Sequence, residues 1–469
     1  HRIDPICSVY KQCGGCQLQH MDSYEQNTFK ENKVKDCFHK IAGMNVEIQP
    51  IIKVEPHWNY RNKVQIPVQC NDNKVEMGFY APHSNRIVQY DVCHVQTDLS
   101  NELTNYFRKQ FDMLACGKDM RHVLIKHAHN TGEVMVALVV RNYPFHNSDI
   151  LIKDVLANYP QIKSLVAIVN KREDNVILDG KEILLAGRHY IEEELLGCTF
   201  RISARSFYQI NPYATRELYS KAIELAGLTG NETLIDLYCG TGTMGIIAAK
   251  QAKQVYGIEI VKDAVCDANT NAENNNVTNI KFINADASEG AKQIIDAKIQ
   301  ADAMIIDPPR KGCSKETIDA IVTIAPKRLV YVSCDPATLA RDVKILSDSG
   351  YKLELVQPVD LFPQTVHVET VALLSKLDVD KHISVKIELD ELDLTSAESK
   401  ATYAQIKEYI LEKFGLKVSA LYIAQIKKKC GIELRENYNK SKKEKQVIPQ
   451  CTSEKEEAIM DALRHFKMI

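Results

Sequence analysis

The chain has 469 residues, 45% hydrophobic and 26% charged, with a formal net charge of −2. Such a length exceeds one hydrophobic core and predicts about three domains, and the near-neutral balance excludes a globally basic polyanion binder, so any nucleic-acid surface must be local. No apolar run reaches the ~20 residues of a membrane helix, and fourteen cysteines without a basic-then-apolar leader point to free thiols in a reducing, cytoplasmic compartment.

Residues 1–40 contain KQCGGCQLQH. Cys7, Cys13 and Cys16 are spaced C-x5-C-x2-C, and Gly14-Gly15 lets the chain curl so that neighbouring thiols face one centre. A thioredoxin-type pair would open a helix in a βαβ setting, which this segment does not offer. A four-thiolate zinc site and an iron–sulfur cluster both fit the spacing, and either needs a fourth ligand. The segment then turns helical at SYEQNTFKENKVKDCF. The first residue is His1 rather than Met, so the chain reads as processed or truncated.

From residue 41 to 196 the pattern is short apolar alternation. KVQIPVQ, KVEMGFY, HVLIKHA, EVMVALVV, SLVAIVN and NVILDG read as strands, with Asn130-Thr131-Gly132 as a hairpin turn. This β-rich stretch carries no evident catalytic chemistry and reads as structural or substrate-docking. From 197 to 377 the rhythm becomes strand, helix, strand. TLIDLY, QVYGIEI, IKFINAD, AMIIDPP and RLVYVSC predict a parallel sheet covered on both faces. YKLELVQPV and VETVALLSK close it as an antiparallel edge.

Residues 378–393 are acidic and read as a linker. A small helical module follows, with a break at Gly415 between two amphipathic stretches. Residues 427–445 hold eight Lys/Arg against three Glu. This basic run is either a solvated helix end or a contact for RNA phosphate.

The loop DLYCGTGTMG, residues 236–245, follows a strand and opens a helix. Its glycines allow a tight turn and close approach to a ligand, and Glu259 closes the next strand, where a carboxylate can hold ribose hydroxyls. Alone, this suits a dinucleotide dehydrogenase as well as a methyl-donor site. Asp236 in the first strand resembles motif I of S-adenosylmethionine (SAM) methyltransferases, and Asp307-Pro308-Pro309-Arg310 resembles their motif IV. Arg310 stands where amino-methylating enzymes usually place an aromatic residue, which argues against exocyclic amines as acceptors.

The fifth strand of this region ends at Cys334. Asp335 suits an N-cap and Pro336 the first helical position. A thiol beside a helix N-terminus is expected to favour thiolate, with the Asp335 carboxylate working partly against it. Such a thiol beside a methyl-donor loop suits methylation of uracil C5. That carbon becomes nucleophilic only after a nucleophile adds at C6, and its proton must later be removed by a base. Glu369, in the segment FPQTVHVET, suits the base. His367 is its rival, and Cys313 is a rival thiol.

SCDPATLARD, FPQTVHVET, SFYQINP and DLYCGTG together resemble the motifs of the RNA uracil-5-methyltransferases. The resemblance implies a Rossmann-like SAM methyltransferase domain at 197–377, with Cys334 as nucleophile and Glu369 as base. It places Gln209, Tyr238, Thr243, Glu259, Asp286 and Asp307 around SAM, although Thr243 replaces an Asn often found there, and it sets Phe207 near the target base. The ribosomal branch of the family carries a [4Fe-4S] cluster with this cysteine spacing, and its fourth ligand matches Cys93. The resemblance thus implies an iron–sulfur segment at 1–40, a β-rich central domain at 41–196 that contributes Cys93, and 23S ribosomal RNA as substrate of a monomeric, cytoplasmic enzyme with no membrane partner. The cluster is expected to clamp the N-terminal segment onto the β domain. The relatives' leading β-barrel RNA-binding domain is expected to be absent, and the helical, basic module at 378–469 lies beyond the shared core. The competing readings are a transfer-RNA uracil-5-methyltransferase, an iron–sulfur NAD oxidoreductase built on the same loop, and a catalytically silent RNA-binding factor.

Overall fold

A computed structural model describes residues 2–72, 74–377, 403–416, 418–430, 453–466 and 468. The chain forms two compact units, residues 1–379 and 380–469. The expected linker at 378–393 lies outside the described residues, as does the basic run from residue 431 onward.

In the first unit, helix α1 (Ser23–Cys37) precedes a seven-stranded sheet. Its strands are β1 (Lys63–Asn71), β2 (Lys74–Tyr80), β3 (Ile87–Gln89), β4 (Met120–His127), β5 (Val134–Val140), β6 (Ile162–Val169) and β7 (Lys181–Gly187), in the order β3-β2-β1-β4-β5-β6-β7. All neighbours are antiparallel except β5 and β6, which a helical crossover joins. Two helices that the strand pattern concealed, α2 (Asp98–Met113) and α3 (Ser148–Asn158), cover one face. Leu103, Phe107 and Phe111 form the buried stripe of α2 at the helical spacing of four.

Along β5, Val134, Val136, Leu138 and Val140 enter the core shared with α2 and α3. The alternating Met135, Ala137 and Val139 enter a second core. Both faces are therefore buried, which explains the unbroken apolar run. That second core continues through the hairpin β8 (Tyr190–Leu195) and β9 (Cys198–Ser203) to Leu218, Ile246 and Val330, so hydrophobic burial joins the two sheets. One expected strand is corrected. NVILDG is loop, because the Asn170 side chain holds the carbonyls of Val176 and Ile177 in a turn and Arg172 pairs with Asp174. The strand begins after Gly180, whose φ is +128°.

Helix α4 (Pro212–Ala226) leads into the second sheet. Its strands are β10 (Thr233–Leu237), β11 (Gln254–Glu259), β12 (Ile280–Asn284), β13 (Ala303–Ile306), β14 (Arg328–Ser333), β15 (Tyr351–Val359) and β16 (Glu369–Lys376). The order is β12-β11-β10-β13-β14-β16-β15, with the first five parallel and β16 inserted antiparallel to both neighbours. Helices α5 (Thr243–Ala249), α6 (Lys262–Asn274), α7 (Ala287–Asp296), α8 (Lys315–Ile324) and α9 (Pro336–Asp348) make the connections. Parallel connectivity brings the carboxyl ends of β10, β11, β13 and β14 to one edge, the usual ligand side of such sheets. Helix α1 packs on α9 and β15. The N-terminal helix therefore belongs physically to the second sheet. Its Lys30, fully buried, pairs with Asp360.

The second unit contains α10 (Tyr403–Phe414), α11 (Ala420–Lys429) and α12 (Ser453–His465). Ile406, Ile410, Ile423, Ile426, Ile459 and Leu463 form its core. Gly415, at φ +66°, makes the expected break. Lys429, within the basic run, pairs with Glu456 of α12. Among the described residues no helix is long and apolar enough to cross a membrane.

Candidate active site

The carboxyl ends of the parallel strands open into a cleft holding about 1680 Å³ of space continuous with solvent. Phe207, Gln209, Tyr238, Glu259, Asp286, Asp307, Cys334 and Glu369 all line it. Thr243 does not. It lies in the first turn of α5, buried, with its hydroxyl 3.3 Å from that of Thr241, and so braces the loop from behind.

The loop is shaped before any ligand arrives. Tyr238 stands at φ +69° and Gly242 at +76°, in the left-handed region that a bulky residue enters only under constraint. The constraint is visible, because the Tyr238 and Cys239 N–H groups both donate to the Ile258 carbonyl, 3.0 Å away. The Glu259 carboxylate accepts from Gly240 N–H at 3.1 Å and Val261 N–H at 2.8 Å. Asp286 is the N-cap of α7, and its Oδ1 alone takes Ser288 N–H, Ser288 O–H and Glu289 N–H, which pulls its pKa down.

Asp335 caps α9 by accepting from Ala337 N–H at 2.9 Å, with Pro336 in the first turn. The expectation of a thiolate at Cys334 is corrected. Burial, followed by the charge of Glu369, pushes the thiol up to about 11 against the pull of Arg310. Glu369, only 3% exposed, is pushed up to about 8, again by burial first and then by Asp307. Burial raises Asp307 to about 7. Acids buried in the cleft wall and crowded together favour their neutral forms, so the resting site holds a neutral thiol beside a carboxyl poised near neutrality. A nucleophile and an acid–base group in that state suit covalent addition with a proton transfer.

Neither rival shares this setting. Cys313 is buried in the hydrophobic core under α9, its N–H bonded to Asp342 and its sulfur 3.8 Å from the Tyr331 hydroxyl. His367 is half-buried outside the cleft wall, and burial together with the Arg310 charge lowers its pKa.

A second cavity is lined by Cys7, Cys13, Cys16 and Cys93 together with Arg61 and Tyr90. None of these thiols is in a disulfide. Asn101 fixes Cys93 through its backbone N–H and carbonyl at 2.8 and 3.1 Å. Burial raises all of Cys13, Cys16 and Cys93, the last to about 12. The Nε of Arg61 is buried there without a hydrogen-bond partner. Among the described residues no three His, Cys, Asp or Glu side chains converge on a single metal-ion site.

A model of the tRNA (uracil-5-)-methyltransferase family matches residues 25–377. The chain belongs to this family. A Clostridium tetani protein described as an uncharacterized RNA methyltransferase is 39% identical over 383 residues, covering 80% of this chain and 83% of its own length. A like-described protein of Clostridium acetobutylicum is 41% identical over 388 residues, 80% of this chain and 84% of its own. Among solved structures, Pyrococcus abyssi tRNA (uracil-54, C5)-methyltransferase in complex with S-adenosyl-L-homocysteine superposes with a TM-score of 0.64 at 28% identity, covering 77% of this chain and 86% of that one. The uracil-5-methyltransferase family and the cofactor product bound in that neighbour support SAM as the methyl donor here.

One side chain of this uracil-5-methyltransferase cleft was legible in sequence only as an exception. Arg310 looked like a missing aromatic. In the fold it is the cation facing both Cys334 and Glu369. Its position directly after the paired prolines was the available signal.

Proposed function

We propose that this protein methylates uridine at C5 in 23S ribosomal RNA with SAM as donor, through a covalent adduct between Cys334 and C6 of the base. The observation that carries the reading is the meeting of Cys334, Arg310, Glu369 and Asp307 in the same cleft as the glycine loop. Gln209, Tyr238, Glu259, Asp286 and Asp307 hold the donor, with Glu259 on the ribose and the free Oδ2 of Asp286 available to the adenine. Thr243 acts only through the loop. Phe207, exposed at the cleft rim, offers a stacking face for a base that has left its helix.

The steps balance as follows. The Cys334 thiol gives its proton to solvent in the open cleft and its sulfur bonds to C6, and the C5=C6 electron pair moves to C5. C5 takes the methyl group, and S-adenosylhomocysteine leaves. Glu369, as carboxylate, then accepts the C5 proton, the freed pair re-forms C5=C6, and the C6–S bond breaks to return the thiolate, which takes back a proton as Glu369 gives its own to solvent. A SAM sulfonium in this cleft lowers the pKa of nearby acids, and methyl transfer removes that charge. Loss of that charge raises the Glu369 pKa again and makes its carboxylate a stronger base at the moment the proton must leave.

The four thiols fit a [4Fe-4S] cluster as a donor set. They are soft, they surround one cavity, and a buried guanidinium nitrogen lacks a partner beside them. Such a group would be structural, held by Cys7, Cys13, Cys16 and Cys93, and no step above passes through it. We take the domain assignment 1–40, 41–196, 197–377 and 378–469, a monomeric state and a cytoplasmic location as parts of the same proposal.

Transfer RNA is the second reading, favoured by the substrate of the archaeal structural neighbour. Methyl-labelled SAM with unmodified 23S and transfer-RNA transcripts decides between them. Label in the ribosomal transcript alone supports the proposal, and label in transfer RNA alone replaces it. Cys334→Ala should transfer no label, and Glu369→Gln should accumulate a protein–RNA adduct that survives denaturation.

A further inference from the structure

The loop that delivers Glu369, residues 360–368, is held chiefly by the N-terminal segment. Gln364 stands at its apex with φ +70°, a left-handed conformation that a glutamine adopts only when its surroundings impose it. Those surroundings are specific. The Gln364 N–H donates to Gln26 Oε1 at 2.9 Å. Its carbonyl accepts from Gln17 N–H at 3.0 Å and from Leu18 N–H at 2.9 Å. Its side-chain Oε1 accepts from Gln26 Nε2 at 2.9 Å. Gln26 and Gln364 are 3% and 5% exposed, so water does not compete for these bonds.

The neighbours of Gln364 are held in the same way. Lys30 Nζ donates to the Phe362 carbonyl at 3.0 Å, and Lys33 Nζ to the Val366 carbonyl at 2.9 Å. Gln17 has a second attachment, since its Nε2 donates to the Gly14 carbonyl at 2.7 Å, between Cys13 and Cys16. One residue therefore touches both the thiol-bearing loop and the loop that ends in Glu369.

We propose that Gln26, with Gln17, is a positioning residue for proton removal. It holds Gln364 in its left-handed state, so that Glu369 is presented to the cleft, and it ties that geometry to the thiol-lined loop. The inference rests on the assignment of Cys334 and Glu369 made above. Its consequence is step-specific. Addition of Cys334 and methyl transfer need the cleft but not the base, whereas release of the adduct needs Glu369 in place.

The test is a quenched single-turnover reaction with methyl-labelled SAM and whichever transcript the parent methylates. The ratio of denaturation-stable adduct to released methylated RNA is read for the parent, Glu369→Gln, Gln26→Leu and Gln26→Glu. Gln26→Leu should form adduct at the parent's rate and release it about tenfold or more slowly, because small misplacement of a reacting group is costly. Gln26→Glu keeps an oxygen for the Gln364 N–H and should lie between. Hydrogen exchange across 360–368 should quicken in the same order. A purely structural role would reduce the active fraction and leave the adduct-to-product ratio unchanged. A parent-like ratio in both Gln26 variants, with Glu369→Gln trapping adduct, overturns the inference. No adduct in Glu369→Gln overturns the catalytic assignment instead, and the exchange measurement then still decides whether Gln26 holds the loop. If Gln26→Leu does not fold, Gln26→Glu carries the decision.

Discussion

Cys334 and Glu369 meet one position beyond the Ser333–Thr370 register of the antiparallel β14–β16 pair. Directly opposed residues of such a pair project to the same face. The inserted antiparallel strand thus brings a carboxyl to the thiol at the end of a sheet that is otherwise parallel there. The cost is visible in both groups, because burial and then Glu369 raise the Cys334 thiol, while burial and then Asp307 raise Glu369.

That coupling predicts a pH dependence with a definite sign. Glu369 holds its proton up to about 8 in the folded protein, against 4.5 when unperturbed. The advantage of its neutral form is complete below pH 4.5 and is lost as pH rises toward 8, so the group lowers stability across that window. Urea unfolding of Glu369→Gln should therefore show a gain over the parent that grows from pH 5 to pH 8. Adduct release by the parent should accelerate with pH through about 8, and in Glu369→Gln this rise should vanish. A pH-independent parent release rate would remove Glu369 from the proton step.

Arg310 is a positive group that acts on Cys334 to offset its burial. Arg310→Gln should slow adduct formation by about one to three orders of magnitude, the range for losing a preorganised charge contact. SAM affinity should change little, because the donor contacts lie on other side chains. Arg310→Lys should recover part of the rate, since a lysine restores charge without the planar fork. Stopped reactions resolving adduct against time, with SAM binding measured separately by calorimetry, separate these effects. Equal loss of SAM affinity and adduct rate would place Arg310 in donor binding.

Local sequence carried most of the second sheet. Its strands are apolar runs, Asp286 and Asp335 cap its helices with Pro336 in a first turn, and the loop glycines Gly240 and Gly242 sit where φ is positive. What the sequence could not convey was long-range placement. Helix α1 has almost no amphipathic contrast, because its buried face is Gln26, Asn27, Lys30 and Val34. Gln26 and Lys30 are buried against the catalytic loop, and only tertiary structure reveals their partners. The thiol at Cys334 obeys the same long-range placement. The helix N-terminus is local and visible, whereas Glu369 and Asp307 arrive from distant segments.

Lys30 offers the sharpest stability test. Its ammonium is fully buried against Asp360, whose side chain is 4% exposed. Burial lowers the Lys30 pKa despite that partner. Lys30→Met leaves a buried carboxylate without its cation and should cost about 3–5 kcal/mol in urea unfolding. Lys30→Met with Asp360→Leu removes both charges and should recover most of the loss. If the double variant is no more stable than the single one, the pair contributes through packing rather than charge.

The thiol cavity makes a prediction that needs no RNA. Protein purified without oxygen should be brown and contain about four irons and a similar amount of acid-labile sulfide per chain, as a four-thiolate cluster requires. Cys93→Ala should lose most of the iron and the visible absorption. Cys70→Ala, which changes a half-buried thiol of β1 outside that cavity, should keep both. Asn101→Ala should load less iron than the parent, because Asn101 fixes the Cys93 backbone on both sides. Outer partners of this kind commonly contribute 10–100-fold in metal affinity. Colourless protein with about one zinc per chain, retained in Cys70→Ala and lost in Cys93→Ala, would identify a mononuclear thiolate site instead.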